Sequence, residues 1–168
     1  MAISYLYKAV WLVVLVLLQG LVLNNLHIAG YATPFLYVVL ILQFENDVKP
    51  SNLMLWAFAV GLLVDVFSDT PGMNAAASVL IAFLRPTLLR LFVPRDVQET
   101  LVLSMHSMGV GVFLKYIVSA VFIHHTALFL LEFFSLAHPL DLLLRILSST
   151  ILTTVCIWAL ELFRQRGK

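Results

Sequence analysis

Apolar residues in this chain run far longer than a globular core requires, and short polar breaks divide the runs. No charge occurs between Lys8 and Glu45, a stretch too long for one spanning helix of about 20 residues. Asn24-Asn25-Leu26-His27-Ile28-Ala29-Gly30 is where it can turn, which predicts helices over about 9–26 and 31–44. Further spans are predicted over about 52–67, 72–92, 97–123 and 140–163, six in all, with Pro86 as a kink inside the fourth. Thr70 followed by Pro71 predicts the cap and first position of the fourth helix. Asp96 with Glu99 predicts a capping box at the start of the fifth. The apolar segment over about 126–136 is half a span in length and reads as interfacial.

Composition identifies the solvent. The 168 residues are 62% hydrophobic and 11% charged, with a mean hydropathy of +1.02. A soluble domain carries about 25% charged residues, so these few cannot cover a water-facing surface. The expected fold is one all-α, polytopic transmembrane domain over 1–168 with short loops. A net charge of +1 offers nucleic acid no electrostatic footprint. Cys156 is the single cysteine and cannot make an internal disulfide. No small-x-small cleavage site follows the first apolar run, which predicts a retained first span.

Cations orient the spans, because short cytoplasmic loops collect Lys and Arg. With six helices and the N-terminus inside, Lys8, Lys49, Arg85, Arg90, Arg95, Arg164, Arg166 and Lys168 all fall inside, which places both termini in the cytoplasm. Arg85, Arg90, Arg95, Arg164, Arg166 and Lys168 are expected to form a basic surface facing anionic lipid or protein. Asn24, Asn25, Asp69, His124, His125 and Glu132 fall to the outer turns.

Asp65 needs a partner, since an acid within a helix costs about 2.5 to 3.5 kcal/mol at the membrane centre. Candidate partners in the same half are Asp69, Lys115, Glu132, Asp141 and Arg145, with Asp141 and Arg145 four residues apart on one face. A polar network joining helices three, five and six is the expectation, either to fix packing or to bind a partner helix. Gly61, Gly72, Ala75, Ala76, Ala77, Gly109 and Gly111 permit close helix contacts. Catalytic and metal signals are poor. His124-His125 lacks the i, i+4 spacing of a zinc pair. Asp65 with Asp69 or Asp141 would make a carboxylate dyad with no second motif beside it. No glycine-rich phosphate loop occurs, and no cofactor is expected.

Gly61-x-x-x-Asp65, then Ser68-Asp69-Thr70-Pro71-Gly72-Met73-Asn74-Ala75 and an apolar helix ending in Arg85-Pro86, resembles the signature region of the rod shape-determining protein MreD family. The matching positions are Gly61, Asp65, Gly72 and Arg85, while Asp69 and Pro71 depart from the small or polar residues usual in that turn. The resemblance implies a non-catalytic scaffold of the bacterial inner membrane, within the machinery that inserts side-wall peptidoglycan. It implies direct binding to MreC and, through it, association with MreB, RodA and the elongation-specific penicillin-binding protein. It also implies a fold similar to the substrate-binding subunits of energy-coupling-factor transporters, so a vitamin-binding subunit is the alternative function. Asn74-Ala75-Ala76 does not complete the paired Asn and Asp motifs of an intramembrane aspartyl peptidase.

Overall fold

The computed structural model describes residues 2–26, 31–44, 48–93, 103–133 and 139–166, and every regular element among them is helical. The elements are α1 (Ala2–Leu21), a 3-10 turn (Leu23–Asn25), α2 (Val38–Leu42), α3 (Pro50–Ser68), α4 (Met73–Phe92), α5 (Met105–Met108), α6 (Val110–Phe133) and α7 (Pro139–Arg166). Helices α3, α4, α6 and α7 are each long and apolar enough to cross a membrane, and Val10–Leu21 of α1 is a shorter apolar helix. The chain is therefore a membrane protein built as a helical bundle. Large apolar side chains remain outside, with Leu55, Val66, Leu91, Leu140 and Phe163 each more than 65% exposed, as lipid solvation allows.

Helices α3 and α4 form an antiparallel hairpin that defines one end of the bundle. Asp69 closes α3 in the left-handed conformation at φ 54°, which a short Asp side chain tolerates, and its N–H bonds the Asp65 carbonyl. Gly72 takes φ 83° just before α4. Gly61 lets the helices meet: a Cβ there would lie 2.5 Å from Ala75 Cα and 2.6 Å from the Asn74 carbonyl oxygen. The end of α1 joins the same end, where Asn24 Nδ2 donates to Ser68 Oγ and Gly20 lies against Phe67. Phe133 at the end of α6 and the start of α7 lie there too, since Arg145 stacks on both Phe133 and Tyr31.

The expected helix over 31–44 is helical only at Val38–Leu42. Thr33 and Pro34 account for the difference, because the residue before a proline is pushed out of the α region. This segment nevertheless runs through the bundle. Tyr31 lies beside Arg145 at the hairpin end, whereas Gln43 bonds Glu161 near the end of α7 at the opposite end.

Two further boundaries differ from expectation. The fifth helix does not end at Ile123. Gly109 breaks the chain at φ 77°, α6 begins at Val110, and it continues to Phe133 through most of the segment expected to lie at the interface. This shift carries His124 and His125 from an outer turn into the buried interior, where neither is exposed. It also moves Lys115 to the second turn of α6, at the opposite end from Asp65. The proposed capping pair Asp96 and Glu99, like Arg95 and Lys168, lies outside the described residues, as does the Arg166 side chain.

Candidate functional site

Asp65 is the hub of the hairpin and is 3% exposed. Its Oδ1 accepts hydrogen bonds from the Asn74 backbone N–H (2.9 Å), Asn74 Nδ2 (2.9 Å) and Thr70 Oγ1 (2.9 Å). Its Oδ2 accepts from the Ala75 N–H (3.0 Å). The carboxylate of α3 therefore caps the N-terminus of α4, where unpaired N–H groups and the positive end of the helix dipole favour an anion. Thr70 does not cap α4 as its sequence position suggested. Its hydroxyl is drawn to Asp65 instead, and Gly72, which has no side chain, stands at the cap. One turn before Asp65, Gly61 brings α4 close enough for these bonds to form.

A directed chain of hydrogen bonds continues inward from Asn74. Because Asn74 Nδ2 donates to Asp65, its Oδ1 is the acceptor for the Tyr37 hydroxyl (2.9 Å). The Tyr37 oxygen then accepts from Nε2 of His124 (2.9 Å), and Nδ1 of His124 is left enclosed without a partner. Every donor in this series points towards the carboxylate. Chains of this kind polarise one another and fix a unique packing.

The non-helical residues 33–36 have backbone groups that no helix satisfies, so polar side chains of the surrounding helices bond them. From α1, Gln19 donates to the Pro34 carbonyl (2.9 Å) and accepts from the Leu36 N–H (2.9 Å). From α7, Ser149 Oγ accepts from Thr33 N–H (3.1 Å), and Thr153 Oγ1 accepts from Phe35 N–H (3.0 Å). His125 Nδ1 must donate to the Val121 carbonyl (2.7 Å), because a carbonyl only accepts, and this leaves its Nε2 to accept from Thr153 (3.3 Å). The two histidines thus serve the unwound segment, one through Tyr37 and one through Thr153.

A second polar cluster closes the opposite end. Arg85 is 4% exposed, which overturns its assignment to a basic surface. It lies on the buried face of α4, where Nε donates to the Leu42 carbonyl (3.3 Å) and Nη2 to that of Phe44. Tyr116 adds a bond to Leu42 (3.0 Å). The five-residue α2 leaves its last carbonyls unpaired, and these donors satisfy them. Glu161, also 3% exposed, accepts from Gln43 Nε2 (3.1 Å) and from the Met105 N–H (3.2 Å), and Arg164 lies 3.9 Å away. Arg90 and Arg164 are exposed, as expected of a basic surface.

The predicted ionic network does not assemble around Asp65 among the described residues. Among the described residues Asp65 forms no ion pair with Lys115 or Arg145, and Lys115, Asp69 and Asp141 are exposed. Glu132 is exposed on the last turn of α6. A carboxylate dyad does not form either, because Asp65 points into α4 while Asp69 and Asp141 lie on the outside. Backbone N–H groups took the place that opposite charges were expected to fill. Sequence reasoning missed Gln19, Tyr37, Asn74, Thr153 and Glu161 as structural polar groups. Gln19 and Glu161 stood in apolar runs, which was a usable signal, since an isolated polar residue there needs a partner.

No family model, no curated protein and no solved structure matches this chain.

Proposed function

We propose that the chain is a non-catalytic scaffold of the bacterial cell-elongation complex, of the MreD kind, which seats the single membrane helix of MreC and so supports rod shape and side-wall peptidoglycan synthesis. The observation that carries this reading is an open, almost wholly apolar groove between α3 and α4. Met54 and Phe58 form one wall, and Gly72, Ala76, Leu80 and Phe83 form the other. Gly72, Ala76 and Leu80 follow one another at intervals of four residues, so the α4 wall is a ridge low enough at its start for another helix backbone to approach. Asp65 does not line this groove. It is a positioning residue that holds Gly72 and Ala76 where a partner helix would meet them. MreB, RodA and the elongation-specific penicillin-binding protein would be reached through MreC.

In this reading the chain crosses the inner membrane six times, with residues 31–44 as the second crossing. Tyr31 lies beside Arg145 at the hairpin end and Gln43 bonds Glu161 near the opposite end, so this segment passes from one end of the bundle to the other. Lys49, Arg90, Lys115 and Arg164 lie towards the end opposite the hairpin, and that end is taken as cytoplasmic, with both termini there.

The experiment is co-purification from mild detergent with the MreC of the same genome. Wild type is expected to retain MreC. Ala76→Trp, which fills the groove without touching the Asp65 bonds, is expected to lower retention about tenfold or more while the variant still elutes as a single species. Undiminished retention by Ala76→Trp would remove the groove from the proposal. One observation favours the alternative vitamin-binding role: His124 Nδ1 is enclosed in the bundle interior without a hydrogen-bond partner. A vitamin that raised the melting temperature of the purified wild type would support it.

A further inference from the structure

Arg145 projects from the second turn of α7 at the hairpin end, with its guanidinium carbon 5.2 Å from the Phe133 ring centre and 6.0 Å from that of Tyr31. The two rings come from different elements, so the guanidinium is framed rather than free to wander. Among the described residues no carboxylate pairs with it: the ion pair there is Arg164 with Glu161, and Asp141, one turn earlier on α7, is exposed without bonding Arg145. Nε is enclosed and has no hydrogen-bond partner, while the residue as a whole is half-buried. The Arg145 backbone lies about 9 Å into α7 by helical rise, a depth from which the side chain reaches headgroup level.

A cation held at that level between aromatic faces, unpaired among the described residues, is placed to take an anion from outside the protein. Guanidinium matches a phosphate through two parallel N–H bonds, and the Nη pair presents that fork. The surroundings decide the source. Leu144 and Ile151 are 51% and 65% exposed on a stripe about a third of a turn round α7 from Arg145, so lipid chains flank the site on that side. We propose that Arg145, framed by Tyr31 and Phe133, binds the phosphodiester headgroup of an anionic phospholipid at the hairpin end of the bundle. This does not depend on the scaffold role.

Native mass spectrometry of the full chain, released from micelles doped with phosphatidylglycerol, tests it. Wild type is expected to keep a bound phosphatidylglycerol under activation that strips the lipid from Arg145→Gln, with retention falling about tenfold. Equal retention by the two would overturn the site. Should Arg145→Gln fail to purify, Arg145→Lys carries the test, since it keeps charge and bulk but loses the fork. A fall of about threefold is then expected, and unchanged retention would overturn the proposal. Displacement of the lipid by millimolar inorganic phosphate would overturn the lipid as the ligand and leave a free anion in its place.

Discussion

Asp65→Ala is expected to destabilise the bundle by about 3 to 5 kcal/mol, the cost of leaving two buried N–H groups without an acceptor. The substitution strips the acceptor from the Asn74 and Ala75 N–H groups, from Asn74 Nδ2 and from Thr70 Oγ1. The first two open α4 and have no intrahelical partner to fall back on. Asn74 Nδ2 would keep its bond to Thr70 Oγ1 (3.0 Å), so the order of donors from His124 through Tyr37 to Asn74 is expected to survive and the loss to fall on the backbone cap. Asp65→Asn keeps one acceptor oxygen and removes the charge, and its cost is expected at about half. Unfolding by sodium dodecyl sulfate in mixed micelles measures both. Stability within about 1 kcal/mol of wild type for Asp65→Ala would contradict the capping role. Because Asp65 is buried away from the groove, any loss of MreC by these variants should track their loss of folded hairpin.

Gln19→Leu ranks second, with an expected cost of about 2 to 4 kcal/mol. The change is nearly isosteric and suits lipid better, so hydropathy alone would predict stabilisation. The structure predicts the reverse. Gln19 is fully buried, and its amide satisfies both the Pro34 carbonyl and the Leu36 N–H. Without it, two backbone groups of a non-helical segment stand unpaired in an apolar interior, where water cannot replace the bonds. Amide hydrogen exchange at Leu36 should accelerate far more than exchange in the centre of α4. Unchanged protection at Leu36, with unchanged melting, would show that the segment does not rely on Gln19.

The α3–α4 hairpin was readable because its apolar runs end in residues with strong backbone preferences. Predicted spans over 52–67 and 72–92 meet helices Pro50–Ser68 and Met73–Phe92, bounded by Lys49-Pro50 and by the Asp69 to Gly72 turn. The same reasoning failed over 31–44 because hydropathy reports burial and not backbone conformation. An unwound strand of apolar residues and an apolar helix look alike until one asks where the backbone bonds go. Thr33-Pro34 and the lone Gln19 held that information.

The site was legible in its centre and not in its connections. Asp65 stood out as a costly acid, and Gly61 as a close-contact residue. Pairing by opposite charge then led to Lys115 and Arg145, whereas the nearest donors were N–H groups nine and ten residues along the chain. Helix ends supply partial charges that a count of Lys and Arg does not include. His124 and His125 looked like turn residues because the fifth span was ended at Ile123, whereas the helix runs on to Phe133 and their partners, Tyr37 and Thr153, come from distant parts of the chain.

Photocrosslinking in cells tests the proposed docking most directly. A photoreactive residue at Phe83 faces the groove, and one at Val155 faces outward from α7, each at a position more than 50% exposed. The expected result is a crosslink to the membrane helix of MreC from position 83 and none from position 155. Crosslinking from position 155 alone, or from neither while the two proteins still co-purify, would contradict a partner seated between α3 and α4.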